Sequence, residues 1–263
     1  MGSYAIVIGI SHYKPPKQGG LKELKGAIPD AEAVAKWLKD SGQVDEGNIR
    51  LITSETGLDK VIKNDIDTEI ANILKEITEK KIEGERLYFY FAGHGFGIET
   101  DSKNNGLCMS NWDDYYMFNA ATLSSLDYKT KFLTEGLFKE IVIWLDCCRN
   151  TKLFANPAPS SGARLRGDNR RTKYFLAMAT TYDSQAFEAF NKDESDKEPR
   201  GIFTSVLLKG LQGAAKGSDE KITAESLIDY LDINVPIEAE KAGHLQEPEF
   251  DRNTTRQNNI LFN

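Results

Sequence analysis

Cysteine and histidine are scarce in this chain. Its 263 residues hold three of each: Cys108, Cys147 and Cys148, and His12, His94 and His244. Three cysteines, two of them adjacent, do not make a disulfide framework. With no secretory leader ahead of the first apolar run, that shortage points to a reducing cytosol and a cytoplasmic protein. Long apolar runs are also missing. None approaches the roughly 20 residues needed to cross a bilayer, so no membrane partner is expected. Positive charge is in deficit, with 33 Lys and Arg against 40 Asp and Glu, a net charge of −7. A general nucleic-acid surface finds no support there, whereas basic protein substrates are compatible with it. No internal repeat is visible. The expectation is one domain over 1–263, with no recruitment domain ahead of it.

What is present reads as a globular α/β chain, 40% hydrophobic and 28% charged. Tyr4–Ile10 is a buried strand, and a helix begins near Pro29-Asp30, with proline and an acid in its first turn. Asn48–Ile52 reads as a second strand. Asp67–Glu79 is an amphipathic helix with Ile70, Ile73, Leu74 and Ile77 on one stripe. Leu87–Phe91 is an apolar, aromatic strand, and 98–105 a polar loop or hairpin. A helical region over 120–139 leads to the run Ile141–Leu145. Tyr174–Ala179 is a further strand, and 202–211 and 223–234 are the last helices. This alternation predicts a largely parallel sheet covered by helices on both faces.

Two of these strands end in chemistry. Leu87–Phe91 runs into Ala92-Gly93-His94-Gly95, and Ile141–Leu145 runs into Asp146-Cys147-Cys148-Arg149-Asn150. Polar clusters at the C-terminal ends of buried parallel strands sit where open α/β sheets place their ligand sites. A cysteine nucleophile needs a base or an imidazolium beside it, because the thiolate is the reactive form. His94 alone of the three histidines lies between glycines at a strand end, 54 residues upstream of Cys148. Caspases place their histidine about 50 residues before the cysteine.

On these motifs the chain resembles the caspase-like cysteine peptidases, in particular the metacaspase-like prokaryotic branch. The likeness runs from Tyr4 to about Pro248. It is carried by Ala5–Ile10, Pro29-Asp30-Ala31, Tyr88–Gly95, Leu145–Cys148, Ala177–Thr180 and Gly201–Thr204. It implies a three-layer sandwich, a mostly parallel central sheet between helices. It also implies acyl transfer with Cys148 as nucleophile, His94 as the proton carrier, and the backbone N–H groups of Gly95 and Cys148 as oxyanion hole. Cys147 is the rival thiol, but neighbouring side chains on an extended segment point to opposite sides.

The same resemblance implies a pocket for the residue before the cut (P1) lined by Asp30, Asp146 and Ala92, and selective for Arg or Lys. Two positions depart from the family: Ala92 replaces a frequent Ser, and Arg149-Asn150 replaces His-Ser. Asp30 also reads as a helix-start acid. A stretch rich in Pro, Gly and Arg over 156–173 reads as an exposed loop. Its Arg164, Arg166, Arg170, Arg171 and Lys173 are candidate self-cleavage sites of a zymogen, and it also reads as a plain solvated loop. Residues 191–200 form a second charged, exposed loop. No cofactor is required on this reading. Calcium activates several metacaspases, which makes Asp101, Asp113 and Asp114 candidate Ca2+ ligands, although their spacing fits no regular calcium loop. Cys108, Trp37, Trp144, Phe187 and Phe190 read as packing, with the two phenylalanines in a segment that could border the cleft. His12 and His244 read as surface or loop residues.

Two other functional readings stay open on the sequence. One is a caspase-like binding module without catalysis. The other is a thiol peptidase of different preference, released when a partner protease cuts the basic loop, as in some prokaryotic defence systems.

Overall fold

The computed structural model describes residues 2–54, 61–114, 118–152, 157–159, 172–189, 199–255 and 259–262. In chain order the elements are β1 (Gly2–Gly9), α1 (Ala27–Asp40), β2 (Ile49–Thr53), α2 (Lys63–Lys80), β3 (Gly84–Ala92), β4 (Gly95–Ile98) and β5 (Asp101–Cys108). Then follow β6 (Thr122–Ser124), α3 (Ser125–Glu135), β7 (Phe138–Asp146), β8 (Thr151–Lys152) and β9 (Lys173–Met178). The last are β10 (Glu188–Ala189), β11 (Arg200–Gly201), α4 (Ile202–Lys209), α5 (Ala224–Lys241) and β12 (Glu249–Arg252).

Six strands form the central sheet in the order β12-β9-β7-β3-β1-β2. All its pairings are parallel except that of β12 with β9. Side-chain alternation along these strands splits the core in two. Ile6, Ile8, Leu87, Phe89, Phe91, Ile141, Ile143 and Leu145 face α2 and α3. Ala5, Val7, Tyr88, Tyr90, Val142 and Trp144 face α1, α4 and α5. Each large aliphatic side chain buried this way contributes about 1.5–3 kcal/mol. Trp37 of α1 meets Trp144 across this second layer, with ring centroids 6.1 Å apart.

The helices begin and end for local reasons. Asp65 Oδ2 accepts from the backbone N–H of Ile62 at the start of α2 (3.0 Å). Thr223 Oγ1 accepts from Ser226 N at the start of α5 (3.0 Å). That helix continues to Lys241, beyond the expected end at 234, and carries Pro236 within it. The helix expected over 120–139 is shorter than its periodicity suggests. Ser124 Oγ caps it by accepting from Asp127 N (3.1 Å), and Gly136 at φ 57° stops it. The flanking residues are strand: β6 before the cap, β7 from Phe138.

Residues 98–105 fall within a hairpin, β4 antiparallel to β5, inside a second sheet of order β6-β5-β4-β8. Lys173 is the first residue of β9 and pairs with Glu140 of β7, so it is not a loop residue. Its ammonium lies 3.3 Å from Glu140 Oε1. Arg164, Arg166, Arg170, Arg171 and Phe190 lie outside the described residues.

Candidate active site

The register of β3 against β7 positions the two reactive side chains. Ala92 lies opposite Asp146. The chain runs on two residues past the end of each strand, to His94 on one side and Cys148 on the other. Backbone bonds continue past the ladder, with Gly93 N–H donating to Asp146 O (3.2 Å) and Cys108 N–H to His94 O (2.9 Å). His94 and Cys148 line one cavity of about 160 Å³, with Asp30, Ala92, Asp146, Phe187 and Glu188 in its wall.

The imidazole is held firmly. Its Nε2 lies 2.7 Å from the carbonyl oxygen of Lys22, so Nε2 carries the proton and Nδ1 is left as the base. The backbone N–H of His94 donates to the Tyr13 hydroxyl (2.8 Å). Burial lowers the His94 pKa, which favours the neutral ring.

The two thiols separate as strand alternation requires. Cys147 is 3% exposed and belongs to the core on the α2 side. A β-carbon on Gly95 would stand 2.7 Å from its sulfur and 2.9 Å from the Cys148 carbonyl oxygen, so only glycine lets β4 approach this closely. Burial pushes the Cys147 thiol well above its ordinary value. Cys148 is half-buried and its Sγ donates to Ala186 O (3.5 Å). Burial, with a smaller contribution from Asp146, raises its pKa as well. Both shifts favour the neutral form, thiol and imidazole alike, at two positions lining one cavity, and the thiol needs a base to become a nucleophile.

Asp146 occupies the opposite phase of β7 and faces α1 and α4. Thr204 of α4 donates to its Oδ2 twice, from the backbone N–H (3.1 Å) and the hydroxyl (2.6 Å). The Tyr90 hydroxyl, 2.6 Å from Thr204 Oγ1, completes a Tyr90–Thr204–Asp146 chain. Asp30 of α1 is 1% exposed and reaches the same place. A β-carbon on Gly201 would stand 2.3 Å from Asp146 Oδ2 and 2.7 Å from Asp30 Oδ2. Burial raises Asp30 to about 7, helped by the charge of Asp146, and burial raises Asp146 to about 6.

The roles of four residues in and around this site escaped the sequence reading. Arg200, counted there in an exposed loop, has a side chain only 13% exposed, and its Nε donates to Asp30 Oδ1 at 2.5 Å. Its charge goes to the nearest buried acid rather than to solvent. Glu188 accepts from the backbone N–H groups of Lys25 (3.1 Å) and Gly26 (2.7 Å). Its neighbour Phe187 lines the cavity, and the ring of His244, a loop residue as expected, stacks on Phe187 with centroids 4.0 Å apart. Tyr13 gave no signal beyond its place in the loop after β1. The sequence hint that the Phe187 segment borders the cleft was the only pointer to Glu188.

Arg149, the departure after Cys148, is fully buried. It donates to Asn105 Oδ1 (2.7 Å), Thr180 O (3.1 Å) and Ser102 O (2.5 Å), and it pairs with Glu249 of β12. Asp101, Asp113 and Asp114 are not brought together. Asp113 pairs with Lys14 (3.0 Å), and Asp101 Oδ1 accepts from Lys103 N (3.0 Å). Among the described residues no three His, Cys, Asp or Glu side chains are placed to hold a metal ion. Cys108 is core, 2% exposed.

A mostly parallel sheet between helical layers, with its polar cluster at adjacent strand ends, is a caspase-like fold. The sequence model of the caspase domain, peptidase family C14, matches residues 3–260, and the chain belongs to that family of peptidases. A probable protease from a Desulfuromonadales bacterium is 28% identical over 232 residues, 81% of this chain and 26% of that protein. The chain thus spans about a quarter of that relative's length. Among solved structures, caspase-1 of Spodoptera frugiperda matches with TM-score 0.58 and 13% identity, over 95% of this chain and 86% of its own. A protein of Geobacter sulfurreducens matches with TM-score 0.57 and 14% identity, over 97% and 94%. At these identities the two structures speak for the fold. Among the described residues no helix is long and apolar enough to cross a membrane.

Proposed function

We propose that the chain is a cysteine endopeptidase that cuts protein substrates after Arg or Lys, using Cys148 and His94. One observation carries the preference. Among the described residues, the cavity beside the thiol is lined by three carboxylates, Asp30, Asp146 and Glu188, and by no Lys or Arg. A cationic side chain entering it meets net negative charge in a partly desolvated site, where charge pairing is strong.

In the proposed reaction His94 Nδ1 takes the proton from Cys148 as the sulfur attacks the scissile carbonyl carbon. The oxyanion forms beside the N–H groups of Gly95 and Cys148, where such donors contribute about 10²–10³ in rate. The imidazolium then gives its proton to the leaving amine, and the acyl-enzyme remains on Cys148. Water, deprotonated by the same imidazole, releases the acid and restores the thiol. Arg164, Arg166, Arg170 and Arg171 are candidate sites for the enzyme's own cut in this reading.

A panel of fluorogenic peptides that differ only at P1 tests the assignment. Release after Arg and Lys, lost in Cys148→Ala, is the expected result. Release after Asp would overturn the pocket, and no release at all, even after the basic loop is nicked by trypsin, would favour a binding module. Mass spectrometry of wild type and Cys148→Ala incubated side by side tests self-cleavage, which should appear in wild type alone.

A further inference from the structure

The cavity wall carries six carboxylate oxygens, from Asp30, Asp146 and Glu188. Five of them already accept at least one hydrogen bond from the chain itself. Asp30 Oδ1 accepts from Arg200 Nε and its Oδ2 from Gly201 N (2.7 Å). Asp146 Oδ2 accepts twice from Thr204, and both Glu188 oxygens accept from the turn before α1. Among the described residues, Asp146 Oδ1 has no hydrogen-bond partner.

Arg200 makes Asp30 unavailable from behind. It is the first residue of β11, pairs through its backbone with Ala189, and is not among the residues lining the cavity. Both partners of the ion pair are largely buried, at 13% and 2% side-chain exposure. The pair is thus part of the wall and leaves the cavity open in front of it.

We propose that Arg200 determines how the pocket reads its substrate: by engaging Asp30 it leaves Asp146 Oδ1, the one wall oxygen with no partner among the described residues, as the principal acceptor for a basic P1 side chain. This rests on the Arg/Lys-cutting peptidase reading. A guanidinium outdoes an ammonium where two acceptor oxygens meet its planar fork. Against one oxygen that advantage disappears, so the enzyme senses positive charge and discriminates little between Arg and Lys. Arg200 is a positioning residue, acting on substrate through Asp30.

Loss of Arg200 returns a second acceptor to the cavity, in a pH-dependent way. Asp30 is faced by Arg200 from β11, Asp146 from β7 and the Tyr90 hydroxyl from β3, with Glu188 of β10 beside Asp146. Without the guanidinium, burial and the Asp146 charge push Asp30 further up. The pocket's second carboxylate, that of Asp30, therefore appears only as the medium becomes alkaline.

The experiment compares matched fluorogenic peptides with Arg or Lys at P1, from about pH 6.5 to about pH 9. Wild type should show kcat/KM values within about threefold of each other across the range. Arg200→Gln should raise the Arg:Lys ratio at least about fivefold toward the alkaline end, and Arg200→Lys should return it to the wild-type value. An unchanged ratio in Arg200→Gln with a native circular dichroism spectrum would overturn the proposal. So would a wild type that prefers Arg by more than about tenfold, a result that leaves the peptidase reading standing. Should Arg200→Gln fail to fold, the near-isosteric Asp30→Asn decides. Equal weakening of both substrates supports the proposal, and selective loss of the Arg substrate overturns it. Cleavage after neither residue by wild type instead defeats the peptidase reading itself.

Discussion

The hydroxyl of Tyr13 takes the backbone N–H of His94 at 2.8 Å, while its ring meets the imidazole edge-on with centroids 4.9 Å apart. One side chain from the loop after β1 thus holds both the main chain and the ring of the proposed base. Tyr13→Phe keeps the ring contact and leaves a buried N–H without its acceptor, at a cost of about 1–3 kcal/mol. We expect kcat to fall about tenfold, with KM little changed, because the ring loses orientation rather than substrate contact. Steady-state kinetics on a P1-Arg peptide checks this. A KM effect alone would place Tyr13 in substrate binding instead.

The thiols give a second prediction. Cys148→Ala should abolish hydrolysis and labelling by an active-site alkylating agent. Cys147→Ala should cost about 1 kcal/mol through a small cavity and keep activity within a few-fold of wild type. If Cys147→Ala is the dead variant and Cys148→Ala the active one, the nucleophile is displaced by one residue from our assignment.

How much of this was legible beforehand depended on unbroken apolar runs. Leu87–Phe91 and Ile141–Leu145 marked both central strands as buried on two faces, and their ends marked His94 and Cys148. Asp30 and Asp146 came from the family likeness alone, and the structure does bring them together at Gly201. Arg200 was misread because a charged run normally signals a solvated loop, and only tertiary structure could show a buried acid waiting for it. β12 was missed for a related reason: Glu249–Arg252 has two charged ends, as an edge strand tolerates and a buried one does not. The helix over 120–139 was overextended because its apolar spacing continues through Gly136, whose αL conformation ends it.

A third prediction concerns acidity. Asp146 is raised by burial from 3.8 to about 6. The native state therefore binds this proton more tightly than the unfolded chain. The stability it confers is complete below about pH 4 and is lost as pH rises through about 6. Asp146→Asn keeps an acceptor for Thr204 and avoids the buried charge. It should melt higher than wild type at pH 8, by about 2–4 °C per kcal/mol, and match it near pH 4. The same variant should lose at least about 100-fold in kcat/KM on basic substrates. Thermal scans from pH 4 to 8 would contradict the assignment if the two curves stayed parallel.

A fourth prediction concerns Arg149. Arg149→Met keeps apolar bulk but leaves the acceptors on Ser102, Asn105, Thr180 and Glu249 without their donor. The Glu249 side chain is 38% exposed, so the loss comes from the buried acceptors on Asn105 and Thr180, about 1–3 kcal/mol each. Chemical denaturation should show a loss of that order. A loss under about 1 kcal/mol would mean that water replaces the guanidinium at these acceptors.

The pairing of Ala92 with Asp146 has one more consequence. The proposed base and nucleophile each stand two residues beyond that rung, just past strands that the backbone ladder keeps about 4.8 Å apart. Their mutual reach is therefore an attribute of the main chain, insensitive to which aliphatic groups fill the layers on either side. Core variants should shed thermal tolerance long before they detune the proposed dyad. In such variants the turnover that survives counts the molecules still folded, each working at its full rate.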